Sequence, residues 1–128
     1  MPQSGVVKIR FEPPIPVLRM FDVARTFEFY RDYLGFAVDW EHRFGAEFPL
    51  YAQVSRAGAK IHLSEHHGDG TPGTVVWIAV EDVFAWQAEL AGKSYGYAEP
   101  GSPEDGPGGP GFELVDPSGN VLRFAQPE

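Results

Sequence analysis

Residues Ile15–Phe36, IPVLRMFDVARTFEFYRDYLGF, decide how this chain folds. Pro13, Pro14 and Pro16 forbid helix, so Ile15–Met20 reads as a strand that tolerates an edge position. Leu18 and Met20 alternate there with Val17 and Arg19, giving one apolar and one mixed face. Asp22 follows as an acceptor for the free amides of a helix start. Val23, Phe27, Tyr30 and Leu34 then recur at spacings of four, three and four, one stripe of a helix packing on a sheet. Gly35 supplies a left-handed stop. A weaker copy, VVWIAVEDVFAWQAEL, lies at Val75–Leu90. Setting Asp22 on Asp82, sixty residues later, aligns Val17 with Trp77, Leu18 with Ile78, Met20 with Val80 and Val23 with Val83. The repeat predicts two equivalent supersecondary units.

Outward from this stretch, Phe36–Glu41 alternates Phe36, Val38 and Trp40 with Ala37, Asp39 and Glu41, the pattern of a half-buried strand. His42–Pro49 reads as a loop, and Leu50–Ser55 and Lys60–His66 as strands. His67–Gly73, HGDGTPG, is the clearest break. Beyond it come a strand at Val75–Val80, a helix capped by Asp82 with the stripe Val83, Trp86 and Leu90, and a strand at Tyr95–Glu99. A Pro/Gly loop, Pro100–Gly111, precedes strands Phe112–Val115 and Val121–Ala125, which are joined by the turn sequence DPSGN. The order β-α-β-β-β therefore occurs twice. The expected fold is α+β: an N-terminal arm at 1–12, modules at 13–67 and 74–126 and a linker at 68–73, all within one structural domain. Each helix covers one sheet face, leaving the other concave, so the mixed sheets curve around a cleft.

Composition narrows the function. The 128 residues are 43% hydrophobic and 14% aromatic, enough for a real core, and contain no cysteine. Disulfides and thiol catalysis are excluded, and a reducing cytoplasm fits. No apolar run approaches membrane-spanning length. A net charge of -8 opposes nucleic-acid binding and favours a cationic ligand or simple solubility. His62-Leu63-Ser64-Glu65-His66 matches H-x-x-E-H, but that zinc chemistry needs a helix, and alternation here makes a strand with His62, Ser64 and His66 on one face. Gly106–Gly111 matches G-x-G-x-x-G, yet holds two prolines and runs into a strand rather than a helix. No Ser sits in a G-x-S-x-G elbow.

The first unit and the closing DPSGNVLRF resemble the vicinal oxygen chelate superfamily of glyoxalases, ring-cleaving dioxygenases and bleomycin-resistance proteins, over about Ile15–Ala125. PVLRMFDVARTFEFYRDYLGF is most similar to the bleomycin-resistance branch. The resemblance places metal ligands of the catalytic members at Ile15, His62, Val75 and Arg123. Only His62 could serve, so no metal and no cofactor are expected. Trp77 shares its strand face with Val75, which aims it into the cleft. The implied ligand site comprises Phe44, Phe48, Tyr51, His62, Ser64, His66, Trp77, Phe112 and Arg123, with no catalytic residue. The implied function is sequestration of a flat cationic small molecule of antibiotic type, the implied partners being a bleomycin-type ligand and a second copy in a homodimer. Bleomycin binders resemble one another in a Trp-Gly pair before the seventh strand, and SPEDGPGGPGF here has none. The alternative is a metal-dependent glyoxalase-like lyase or ring-cleaving dioxygenase using His62, Glu65 and His66.

Overall fold

The computed structural model describes residues 7–96 and 99–128. Strand β1 (Val17–Arg19) leads through Asp22 into α1 (Val23–Phe27) and a π-helical continuation (Glu28–Tyr33). Strands β2 (Ala37–His42), β3 (Tyr51–Arg56) and β4 (Ala59–Ser64) complete a four-stranded sheet of order β1-β4-β3-β2. Then come β5 (Val75–Ala79), α2 (Val83–Ala91), β6 (Gly111–Val115) and β7 (Val121–Ala125), the strands forming a second sheet of order β5-β7-β6. In each sheet the first and last strands of the unit pair in parallel and the rest antiparallel.

The duplication is exact in register. Val17 faces His62 across β1 and β4, and Trp77 faces Arg123 across β5 and β7. Both helices begin alike: the Asp22 carboxylate accepts from Arg25 N at 3.0 Å and the Asp82 carboxylate from Ala85 N at 3.0 Å. The expected stripe of the first helix faces the core, but the π turn widens it. Leu34 N donates to Phe29 O at 2.9 Å, five residues back, which brings Phe29 and Tyr33 inward beside Tyr30 and Leu34. Gly35, at φ +78°, closes the helix as anticipated. The expected strand at Tyr95–Glu99 falls partly outside the described residues, at Tyr97 and Ala98. Tyr95 itself is not in a strand and stacks on Tyr33 at 4.4 Å.

One core serves both units: Leu18, Phe29, Tyr30 and Leu63 of the first join Leu90, Leu114, Leu122 and Phe124 of the second. The staple between them is polar. The Tyr30 hydroxyl donates to Asp116 at 2.7 Å, and Asp116 also accepts from Ser118 N, Asn120 N and Asn120 Nδ2 at 2.9, 2.9 and 3.0 Å. Burial first, and Asp116 second, push the Tyr30 phenol well above its usual range, so it stays a donor. Asp116→Ala strands these four donors in a dry site, and we expect a loss of about 3 kcal/mol, against about 1.5 kcal/mol for Tyr30→Phe. Urea unfolding midpoints at unchanged slope check both.

Candidate functional site

Alternation gives each sheet one face for the core and one for solvent. On the second sheet the outward row runs Trp77, Arg123, Glu113 across β5, β7 and β6. Arg123 and Glu113 form an ion pair that neutralises the guanidinium. Trp77 lies beside them, 47% exposed, a large value for an indole and one that leaves a face free to stack. Over this row folds the strap Gly101–Gly111. Paired Glu104 and Gly111 backbones pin its base at 2.9 Å in both directions, and a turn from Gly106 O to Gly109 N closes its tip. Glycine is required at the tip: a Cβ on Gly108 would come within 3.2 Å of the Trp77 ring, and one on Gly109 would strike Gln126 O. Sheet and strap border an open cavity of about 800 Å³ with Trp77, Glu104, Asp105, Glu113 and Arg123 on its walls. Three carboxylates against one guanidinium make it acidic.

On the first sheet the equivalent outward row is Val17, His62, Gln53, Trp40. Trp40 arrives there through a bulge. Register slips between Val38 and Trp40, so Val38 faces Val54 on the core side while Trp40 faces Gln53 outside. Alternation alone had put Trp40 with Val38, and that expectation is corrected by the extra residue Asp39. Trp40 stacks on Tyr51 at 5.9 Å with rings 9° apart, and His62 meets both edge-on. A directional chain locks the cluster. Gln53 Nε2 donates to Asp39 at 3.0 Å, which makes Gln53 Oε1 the acceptor for His62 Nε2–H at 2.9 Å. His62 Nδ1 then accepts from the Tyr51 hydroxyl at 2.6 Å. Burial holds the His62 imidazole below its usual range, consistent with this neutral form, and hydrogen bonds from Gln53 and then Ser55 hold Asp39 below the carboxylate range.

The expected site residues thus fall into three places. Trp77 and Arg123 line the acidic cavity. Tyr51, His62, His66 and Phe44 form the aromatic group on the first sheet, Phe44 meeting His66 at 6.1 Å, while Phe48 is exposed on the adjoining loop. No residue of the first sheet lines the large cavity. Two expectations need correcting. Phe112 is largely buried and packs on the core side against Phe124 at 5.4 Å, so it lines the cavity from beneath rather than from the outward row, because outward Glu113 forces its neighbour inward. Ser64 is fully buried under the 66–69 turn, donating to Asp69 at 2.8 Å and accepting from His66 N at 3.0 Å. Its burial beneath that turn keeps the hydroxyl from a ligand on the sheet face. Sequence reading missed Asp39, whose part depends on the bulge, and Glu113, whose cross-strand place opposite Arg123 was legible from the hairpin turn.

The donor set does not suit a resident metal. Val75 offers no donor, Arg123 is cationic, and both His62 nitrogens are engaged. Glu65 accepts from Leu50 N at 2.8 Å and sits 3.6 Å from Arg43. Among the described residues no three His, Asp or Glu converge.

A model of glyoxalase superfamily proteins matches residues 3–128. The chain belongs to the glyoxalase superfamily. Within that superfamily its solved relatives include bleomycin-binding and bleomycin-resistance proteins. A bleomycin-binding protein from the bleomycin-producing Streptomyces verticillus, complexed with copper(II)-bleomycin, is 29% identical over 94% of this chain and 100% of that one, with a TM-score of 0.73. A bleomycin resistance determinant encoded on the transposon Tn5 is 25% identical over 92% and 99%, at 0.70. An antibiotic binding protein, TnmS3, from Streptomyces sp. CB03234 shares the fold at 21% identity, 94% and 100% coverage and 0.70. No match to a curated protein sequence was found. Among the described residues no helix is long and apolar enough to cross a membrane.

The lowered His62 pKa fixes a sign. The unfolded chain protonates this imidazole more readily, so the stability it contributes is present above about pH 6.5 and is lost as pH falls through the lower folded value. Urea midpoints measured between about pH 7.5 and about pH 5 should drop further for the wild-type chain than for His62→Gln.

Proposed function

We propose that this superfamily member binds and sequesters a flat, cationic, antibiotic-type small molecule and does not transform it. The observation that carries the reading is the exposed Trp77 indole in a row with a neutralised Arg123, beneath a strap bearing Glu104 and Asp105. A planar cation stacks on such a ring, loses little to the paired guanidinium and is drawn in by the carboxylates. The bleomycin-binding relative supports the ligand class, although the strap lacks a tryptophan, so the ring contact rests on Trp77. The metal-dependent alternative has no donor set to support it.

We propose that the protein pairs as a homodimer. Val75, Trp77 and Val115 on one outward face, and Trp40 and Phe44 on the other, are large exposed apolar side chains for one small chain. A second copy laying its first-sheet aromatics against the Trp77 cavity would cover both faces and complete the grip on a ligand.

Ethidium, a planar cation, and bleomycin serve as probes in calorimetric titrations. Ethidium binding should weaken about tenfold, roughly 1.4 kcal/mol, in Trp77→Ala and fall with added salt. Affinity unchanged by Trp77→Ala for both probes would remove the proposal.

A further inference from the structure

The duplication sets two outward rows on one another, and their polar pairs are not finished alike. Val17, His62 and Gln53 in the first unit correspond to Trp77, Arg123 and Glu113 in the second. The first pair is tied at both ends. Gln53 donates to Asp39 and accepts from His62, whose other nitrogen takes the Tyr51 hydroxyl. The second pair stands alone. Arg123 reaches Glu113 Oε2 through Nε. Among the described residues the two amino groups of its guanidinium donate to no protein atom, and Glu113 Oε1 accepts from none. Both side chains are half-exposed on the wall of the Trp77 cavity.

A carboxylate offers two oxygens in one plane, and an amidinium or guanidinium can fill both through parallel N–H bonds. Arg123 fills one. An exposed ion pair held by a single hydrogen bond contributes little, so a better-matched cation can exchange for it. Distance along the row suits such a cation. Neighbouring strands lie about 4.8 Å apart, and Trp77 and Glu113 stand two strands apart, roughly 10 Å across the sheet. A two-ring planar body lying on the indole, with its cationic group at the far end, has that reach.

We propose that Glu113 selects the cationic group of the ligand and that Arg123 is a built-in stand-in for it. The preferred ligand is a planar aromatic amidine or guanidine, whose two N–H groups take both Glu113 oxygens and displace Arg123. This rests on the cation-binding reading of the Trp77 cavity and narrows it. Stacking and long-range charge accept any planar cation. A carboxylate that must be won from an arginine separates cations with N–H donors from cations without them. The displaced guanidinium is half-exposed and takes water in place of Glu113, so the exchange strands no buried charge.

Two probes share a naphthalene body and a single positive charge: 2-naphthamidine, with N–H donors, and 2-naphthyltrimethylammonium, with none. In calorimetric titrations of the wild-type chain the amidine should bind about fivefold more tightly. Arg123→Met removes the stand-in, and the amidine should tighten about fivefold more, the trimethylammonium compound only about twofold. The double variant Arg123→Met/Glu113→Gln keeps the wild-type net charge. There the trimethylammonium compound should bind as it does to the wild type, which also proves the fold, while the advantage of the amidine disappears. Equal affinity of the two probes for the wild type would overturn the proposal and leave cation binding standing. An advantage that survives in the double variant would overturn it in favour of the strap carboxylates, and so would an Arg123→Met chain that holds the amidine no more tightly. Binding of neither probe would remove the cation-binding reading itself, and this proposal with it.

Discussion

The parallel pairing of the first and last strands in each unit is the constraint on which the rest depends. A parallel pair needs a crossover, and the helix that supplies it must lie on one face of the sheet. That leaves the opposite face outward. Register then decides which side chains stand in its middle row: Val17 beside His62 in one unit, Trp77 beside Arg123 in the other. The same backbone arrangement presents two chemically different faces. One is a locked aromatic group whose polar atoms satisfy one another, and the other is an indole under an acidic strap.

The two units are held by few but costly contacts. Asp116 gathers four donors in a buried turn, and Arg56 joins Leu34, Glu89 and Trp86 across the opposite junction. The first closes its junction with backbone and amide groups. The second, with a shorter turn, spans its junction with one long side chain and leaves space behind it. Duplication followed by change in a single turn length is enough to account for that difference in physical terms.

Much of this was legible in the sequence. The capping aspartates, the Gly35 stop, the hairpin turn before Val121 and the sixty-residue repeat are local signals, and apart from the strand expected at Tyr95–Glu99 the structure places the expected elements within a few residues of their spans. What was not legible arises where the period breaks. The bulge at Asp39 moves Trp40 to the outer face, and the π turn rotates Phe29 and Tyr33 inward, each by inserting one residue that no alternation pattern reveals. Ser64 sits at the outward position that alternation gives it, yet a following turn covers it. Phe112 illustrates a parity error that was avoidable, since Glu113 opposite Arg123 already required its neighbour to face the core. That the Trp77 cavity and the His62 group occupy separate sheet faces follows from tertiary packing, with a shared core beneath both.

The claim at the centre of this account is that a planar cation lies on the Trp77 indole beneath the strap. Intermolecular proton Overhauser contacts between ethidium and the isotopically labelled protein test it most directly. The account predicts contacts from the phenanthridinium ring to Trp77 and to the backbone of Gly108. Contacts confined to residues away from Trp77 and the strap, or no contact under saturating ethidium, would contradict it.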